Sequence, residues 1–230
     1  MTDGPQVVIR TVERADQAVV DGLGAAGVST VHEAMGRSGF VGTDIRPIQE
    51  GVAIAGSAIT VSSAPGDNLM IHAAVEICQA GDVLVVTNRG PSEHGMFGDL
   101  LATSLMARSV VGLVIDAGVR DVATLRQMGF PVWSRHISPL GTVKATPGSV
   151  NVPVSIGLVD IHPGDIVCGD DDGVVVVPRA AADTTLQAAN ERIQREEAKR
   201  RRLATGELSL DMDDLRSKLR ELGVEYRDGP

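Results

Sequence analysis

Apolar residues recur with two different spacings along this chain, and the two spacings alternate. From Ala15 to Ala26 they follow a helical period, which Gly27 ends. Residues 52–63 alternate small and branched side chains with the period of a strand, and residues 81–88 form a short, largely apolar run typical of a buried parallel strand. Because helical and strand patterns alternate, the chain is predicted to form an α/β fold with a mostly parallel central sheet.

The alternation continues towards the C-terminal half. A helix is expected over Asn68–Gln79, another over 122–128, and a strand at 131–134. Beyond Arg135, short strands separated by Gly, Pro and Asp are predicted at 141–145, 150–156, 165–169 and 173–178.

Two local motifs invite comparison with metal sites. The run Asp170–Gly173 contains three aspartates, but Asp-Gly between apolar segments is typical of a hairpin turn, and the glutamate that closes a calcium loop is missing. Thr30 and Glu33 have the spacing of a helix capping box. His32 could pair with Glu33 on a metal, but adjacent helical residues point in different directions. A turn and a cap are therefore the favoured interpretations.

The C-terminal part of the chain is polar and is predicted to be helical over about 180–204. Such a helix would extend roughly 35 Å, long enough to leave its own domain. Glutamates interleave with its Arg/Lys run, which favours a solvated face with intrahelical ion pairs over RNA binding. We expect an α/β domain over residues 1–178 and a helical extension over 179–230 that is long enough to touch a neighbour.

Composition narrows the classes of function. The net charge of −9 and the scarcity of aromatic residues argue against a nucleic-acid surface. Cys78 and Cys168 are far apart and form no CxxC pair, so we expect buried thiols rather than zinc or a disulfide. The sequence has no signal-peptide pattern and no apolar run of about 20 residues, which leads us to expect a cytoplasmic protein without a membrane partner.

The stretch from Gly95 to Asp121 carries the strongest candidate chemistry. A helix from Asp99 to about Arg108 runs roughly 15 Å away from its start, and the strand that follows returns by a comparable distance. Asp99 and Arg120–Asp121 should therefore meet at the carboxyl edge of the sheet, where open α/β sheets bind ligands.

Each part of this stretch suits a small oxo acid. The free amides at the helix start suit a carboxylate, the Arg120 guanidinium suits a carboxylate or enolate oxygen, and Asp121 with Asp99 offers hard oxygen ligands for Mg²⁺. The alternatives are structural: Asp99 can be a helix-start residue favoured by the dipole, and Arg120–Asp121 can be a surface ion pair.

At these residues the chain resembles the class II pyruvate aldolases that cleave 4-hydroxy-4-methyl-2-oxoglutarate and 4-carboxy-4-hydroxy-2-oxoadipate. Their hallmark, an aspartate followed after twenty residues by Arg-Asp, is matched by Asp99, Arg120 and Asp121. Further stretches resemble the family in the same order: PGDN (65–68), FGDLLATS (97–104), IDAGVRDV (115–122), FPVWS (130–134), GTVKAT (141–146), GSVN (148–151) and DDDGVV (170–175). The resemblance implies an α/β/α layered fold with swivelling β/β/α character.

The resemblance also implies roles for individual residues. Asp121 would bind the divalent metal, with Mg²⁺ expected and Mn²⁺ as the alternative, and Asp99 would hold a metal-bound water. Arg120 would stabilise the enolate, and Asn68 would lie near the substrate. The pyruvyl carboxylate would be bound by the amides around Gly98, Asp99, Leu100 and Leu101.

The family further implies a homotrimer or homohexamer with the active site at the subunit interface. A glutamate from the C-terminal helix of a neighbouring subunit would assist the metal-associated water network that acts as base; Glu196 is the best match and Glu197 the alternative. Apart from the family pattern, Lys144 and Arg135 are candidates for contacting the distal carboxylate of the substrate, with ordinary surface roles as the alternative.

Three functions follow from these patterns. The first is a metal-dependent aldolase that releases pyruvate, with oxaloacetate decarboxylation as a side activity. The second is a protein-binding inhibitor of an endoribonuclease, because the regulator of ribonuclease activity A is similar to these aldolases and shares their fold. The third, a methyltransferase, is disfavoured because no glycine-rich nucleotide loop follows the first strand.

Overall fold

The computed structural model describes residues 6–229, and within this range a nine-stranded mixed sheet forms the centre of the fold. Its strand order is β1-β6-β5-β3-β2-β10-β11, with β4 paired to β5 and β7 paired to β2, while β8 and β9 form a separate hairpin. The strands are β1 (Arg46–Pro47), β2 (Ile54–Ser63), β3 (Asp82–Asn88), β4 (Gly95–Phe97), β5 (Gly112–Val119), β6 (Val132–Ile137), β7 (Ser149–Val150), β8 (Val154–Ile156), β9 (Val159–Ile161), β10 (Ile166–Asp170) and β11 (Gly173–Val177).

The four central strands, β2, β3, β5 and β6, are mutually parallel, and antiparallel strands flank them on both sides. Phe40, which precedes β1, bridges to Val175 of β11, so the sheet nearly closes on itself. The helices are α1 (Gln17–Ala26), α2 (Val28–Ala34), α3 (Leu69–Val75), α4 (Asp99–Met106), α5 (Val122–Met128), α6 (Ala182–Ala204), α7 (Ser209–Met212) and α8 (Leu215–Glu221).

The core has layers on both faces of the sheet. Helices α3, α4 and α5 connect successive parallel strands and bury one face, where Phe97 and Phe130 stack with ring centroids 5.8 Å apart. Trp133 and the β8–β9 hairpin bury the other face, while α1 and α2 pack on β10 and β11. The predicted layered α/β fold, with its mostly parallel centre and long C-terminal helix, is confirmed.

The three aspartates at 170–172 lie at the turn of the β10–β11 hairpin, as the Asp-Gly pattern predicts. Their carboxylates accept hydrogen bonds from different protein groups rather than converging on one point. Asp170 accepts from the Val28 amide at 2.9 Å, and Asp171 accepts from the Gly51 amide at 3.0 Å. A hairpin turn, and not a calcium loop, is therefore formed here.

Three local predictions are wrong. Helix α2 begins at Val28, where the Asp170 carboxylate accepts the first amide, so Thr30 lies inside the helix and forms no capping box. Residues 141–145 form no strand, and Val143 makes only an isolated bridge to Asp67. Helix α3 ends at Val75 rather than Gln79, because the next amides turn back to the Ala74 carbonyl.

The chain divides into two compact units, the first ending at Ala189 and the second beginning at Asn190. Helix α6 spans this boundary, and its buried residues Ala182, Thr185 and Ala189 belong to the first unit. In the second unit, ion pairs join Arg192 to Glu196 and Arg200 to Glu197, as the interleaved charges predict. Within residues 6–229, no helix combines the length and apolar character that crossing a membrane requires.

Candidate active site

Gly98 is the N-cap of helix α4, and its lack of a side chain allows two charged residues to approach it. A Cβ at Gly98 would collide with the Asp121 Oδ2 and lie 3.2 Å from the Arg120 Cγ. The amide of Arg120 also donates to the Phe97 carbonyl at 2.9 Å, which joins the end of β5 to the residue before Gly98. The predicted meeting of Asp99 with Arg120–Asp121 is therefore present in the fold.

One of the amides predicted to be free at the start of α4 already has a hydrogen-bond acceptor. The Asp99 Oδ1 accepts the Leu100 amide at 2.8 Å, so this donor is already occupied in the structure. The Leu100 side chain is 77 % exposed, whereas the Leu101 side chain packs into the core. The amides of Asp99 and Leu101 remain the candidates for holding an anion.

Asp121 has an unusual backbone conformation. Its φ of 54° places it in the left-handed region, where Asp is one of the few residues found with some frequency. This conformation turns the chain between β5 and α5 and brings the carboxylate against Gly98. The Asp121 Oδ2 lies 3.3 Å from the Arg120 Nε, and both side chains are partly exposed.

A cavity of about 80 Å³ opens beside these residues. Asn68 lies in its wall and donates to the Met96 carbonyl at 3.1 Å, while its buried Oδ1 has no hydrogen-bond partner. A buried acceptor without a partner costs free energy, which makes it a good contact for a donor in a ligand. The lining comprises Asn68, His72, Gly95, Met96, Phe97, Gly98, Asp99, Leu100, Leu101, Arg120 and Lys144.

Two further basic side chains, those of His72 and Lys144, share this cavity with Arg120. Lys144 was a candidate for the distal carboxylate and does line the cavity, whereas His72 was missed by sequence reasoning. Partial burial, and then the positive charge of Lys144, lower the pKa of the His72 imidazole. The only available signal for His72 was its place one turn after Asn68 at the start of α3.

Arg135, the other candidate for the distal carboxylate, does not line this cavity. Its guanidinium donates to Asp116 and, at 2.9 Å, to Asp44. These two carboxylates, through hydrogen bonds that outweigh partial burial, raise the pKa of Arg135. Arg135 therefore has a structural ion-pair role in this fold, which is the alternative to a contact with the substrate.

The C-terminal glutamates lie in the second unit. Arg192 lies 2.7 Å from Glu196, whereas Glu197 accepts from both Arg200 and Arg201. These hydrogen bonds, first from Arg200 and then from Arg201, lower the pKa of Glu197 and so weaken it as a base. Both candidate glutamates are therefore paired with arginines of the same helix in this structure.

In the described part of the chain, only a small number of carboxylates beside Gly98 could bind a metal ion. Within residues 6–229, no three His, Cys, Asp or Glu side chains converge on one point, so Asp121 and Asp99 would act with few other protein ligands. One or two carboxylates completed by water and substrate oxygens is the usual environment of protein-bound Mg²⁺. Apart from the Arg120 ion pair, no residue in the described range bonds to the Asp121 carboxylate. The donors therefore fit a Mg²⁺ that retains most of its waters.

A larger depression of about 960 Å³ lies near β1 and the end of α5, and the arginines that line it are bonded to backbone carbonyls. There, Arg126 donates to the Ile48 carbonyl at 2.7 Å, and Arg46 donates to the carbonyls of Asp171 and Asp172. The smaller cavity beside Gly98 is the better candidate for an active site.

Comparison with known proteins identifies the family of this chain. A family model described as RraA-like, Aldolase/RraA, matches residues 28–176. A protein of Halalkalibacterium halodurans, provisionally named a 4-hydroxy-4-methyl-2-oxoglutarate aldolase, is 32 % identical over 72 % of this chain and 79 % of its own length.

Solved structures with a similar fold include a member of the same family. RraAS2 of Streptomyces coelicolor, described as an unusual member of the RNase ES inhibitor RraA protein family, has a TM-score of 0.74 and 31 % identity, covering 82 % of this chain and 100 % of that one. A protein of Pseudomonas syringae has a TM-score of 0.74 and 25 % identity, covering 85 % and 96 %. The chain therefore belongs to the RraA-like family.

Proposed function

We propose that this protein is a divalent-metal-dependent aldolase that cleaves 4-hydroxy-4-methyl-2-oxoglutarate, 4-carboxy-4-hydroxy-2-oxoadipate or both, with pyruvate as a product. The observation that carries the proposal is the contact of Asp121 and Arg120 with Gly98, immediately before Asp99, in the wall of a small cavity. The similarity to a relative named as such an aldolase supports the choice of substrate class.

The cavity has groups for each part of the pyruvyl moiety. The amides at the start of α4 would hold its carboxylate, and the Arg120 guanidinium would face the 2-oxo oxygen. The unpartnered Oδ1 of Asn68 would accept a hydrogen bond from the substrate or from a bound water. Asp121, with Asp99 through water, would hold Mg²⁺, which when bound would supply Lewis-acid polarisation of the 2-oxo group.

The bond changes follow from these positions. A base removes the proton of the C4 hydroxyl, the C4 oxygen becomes a carbonyl, and the C3–C4 bond breaks. Its electron pair passes to the enolate of the departing pyruvate, whose negative charge Arg120 stabilises in a preorganised position. Protonation of the enolate carbon completes pyruvate. Oxaloacetate bound in the same orientation would lose CO₂ through the same enolate.

The described residues that line the cavity offer no exposed carboxylate other than Asp99 to act as the base. We propose that Glu196 of a neighbouring copy assists the water network that acts as the base, in a homotrimer or homohexamer. An exposed apolar residue in the cavity wall supports a neighbouring copy that covers the cavity, because Leu100 is 77 % exposed.

A coupled assay of pyruvate release tests the activity. Wild-type protein should release pyruvate from the two aldol substrates and from oxaloacetate in the presence of Mg²⁺, and exhaustive chelation should abolish this release. Asp121→Ala should be inactive at every Mg²⁺ concentration while melting as a folded protein. Turnover that survives chelation, or an active Asp121→Ala, would reject the metal-dependent mechanism.

The second candidate function is inhibition of an endoribonuclease. It is favoured by the similarity to RraAS2, whose whole chain is covered at 31 % identity. The test is an RNA-cleavage assay with purified endoribonuclease of the RNase E type and increasing amounts of this protein. Dose-dependent inhibition without pyruvate release would favour this function over the aldolase.

A further inference from the structure

A buried carboxylate lies directly behind the cavity. The Asp67 side chain is 2 % exposed, and its Oδ1 accepts the Leu69 amide at 2.9 Å. Its Oδ2 accepts the amides of Ala145 at 2.8 Å and Thr146 at 2.6 Å. Burial by itself raises the pKa of Asp67, but hydrogen bonds from these three amides and from the Thr146 side chain outweigh it and lower the pKa, so the carboxylate is ionised at neutral pH.

The residues on either side of Asp67 also bond to the segment around Val143. The Asn68 amide donates to the Val143 carbonyl at 3.1 Å, and the Val143 amide donates to the Gly66 carbonyl at 3.0 Å. Together with Asp67, these bonds attach residues 143–146 to the turn that precedes α3. Residues 143–146 are exposed and have no regular secondary structure, so these bonds determine their position.

The attached segment carries a cavity residue at its centre. Lys144 lies between Val143 and Ala145, both of which are bonded to the turn, and its side chain lines the cavity beside His72 and Arg120. Lys144 and His72 line the same small cavity, and the charge of Lys144 contributes to lowering the pKa of His72. A change in the backbone at 145 and 146 would move this charge.

We propose that Asp67 is a positioning residue, which fixes residues 143–146 so that the Lys144 ammonium faces the cavity. If the proposed aldolase function holds, this charge would contribute to binding an anionic substrate, and Asp67 would affect binding only through Lys144. Asp67 itself is covered by the turn and the segment, so it would not contact a ligand directly.

Two substitutions separate this role from general stabilisation. Asp67→Ser keeps an oxygen that can accept the Leu69 amide, but the shorter side chain cannot also hold Ala145 and Thr146. Lys144→Met removes the ammonium and keeps the length of the side chain. The matched control is Asp165→Ser, because Asp165 is also buried and accepts two backbone amides, from His162 at 2.8 Å and Arg179 at 2.9 Å.

The first measurement is an NMR titration of His72, which needs no substrate. Lys144→Met should raise the pKa of His72 towards its ordinary value, since one cause of its depression is removed. Asp67→Ser should raise it similarly, the double variant should raise it no further, and Asp165→Ser should leave it unchanged. An unchanged pKa in folded Asp67→Ser would overturn the proposal.

The second measurement is steady-state kinetics of pyruvate release. Asp67→Ser, Lys144→Met and the double variant should each raise KM about tenfold, while kcat changes less. Effects on KM that multiply in the double variant would show independent roles and overturn the proposal. If no aldol is cleaved by wild-type protein, the aldolase function fails, but the His72 titration still decides the role of Asp67.

If Asp67→Ser does not fold, amide hydrogen exchange of the wild-type protein provides the decisive measurement. The amides of Ala145 and Thr146 should exchange much more slowly than that of exposed Lys144, because Asp67 accepts them. Equally fast exchange at 144, 145 and 146 would mean that Asp67 does not hold the segment.

Discussion

At the scale of single residues, Asp121 and Arg120 show how the backbone places charge. The left-handed conformation of Asp121 is uncommon for a residue with a side chain, and such conformations are often found at functional sites. It directs the carboxylate towards Gly98, while the Nε edge of Arg120 lies 3.3 Å from that carboxylate. The remaining donors of the Arg120 guanidinium can therefore face a ligand in a fixed plane.

This arrangement predicts the effect of Arg120→Lys. The lysine keeps the positive charge but loses the planar set of donors, so it cannot pair with Asp121 and hold an enolate oxygen together. We expect kcat for pyruvate release to fall by roughly 100-fold, with an unchanged melting temperature, because both side chains are partly exposed. Wild-type turnover in a kinetic assay of this variant would refute the role of Arg120.

At the scale of secondary-structure elements, the chain order explains why the site forms at this edge. Helix α4 carries the chain away from Gly98, and β5 returns it to the same edge beside β4. This traverse could be predicted from helix and strand periodicity. The placement of residues 141–145 beside the cavity could not be predicted in this way. Their alternating pattern resembles a strand, and their actual position depends on the distant carboxylate of Asp67.

Gly98→Ala tests the fit between α4 and the end of β5. The new Cβ would collide with the Asp121 Oδ2, so the carboxylate and the start of the helix must separate. A displacement of about 1 Å at a catalytic group can cost roughly 100-fold in rate, and we expect a loss of kcat/KM of that order.

Gly141→Ala is the matched control, because a Cβ at Gly141 would meet no atom within 4 Å. This variant should retain wild-type kcat/KM and a wild-type melting curve. If Gly98→Ala were as active as Gly141→Ala, the close approach of Gly98 to Asp121 would have no catalytic importance.

At the scale of the whole molecule, the proposed assembly brings Glu196 to the water network that acts as the base in aldol cleavage. Glu196 lies in the second unit, which has no buried residue among those described from 190 onwards. Such a unit has little core of its own and is expected to gain stability from contacts with another copy. The proposed assembly would thus serve both the stability of the extension and the completion of the site.

Mixing two inactive variants tests whether copies share a site. Glu196→Gln retains Arg120, and Arg120→Lys retains Glu196, so a hybrid oligomer can combine intact groups from two copies. After the variants are unfolded and refolded together, roughly a quarter of the sites should be intact if copies associate at random. Pyruvate release that stays at the level of the separate variants would contradict a glutamate supplied by a neighbour.

The sequence by itself determined the alternation of strands and helices, the Asp-Gly hairpin and the return of Arg120–Asp121 to the edge that holds Asp99. These features depend on local periodicity and turn chemistry, which act over a few residues. The tertiary structure alone decided that His72 and Lys144 share the cavity, that Arg135 pairs with Asp116 and Asp44, and that Asp67 holds residues 145 and 146. These contacts join segments far apart in the chain through single hydrogen bonds and charges, which leave no periodic pattern in the sequence.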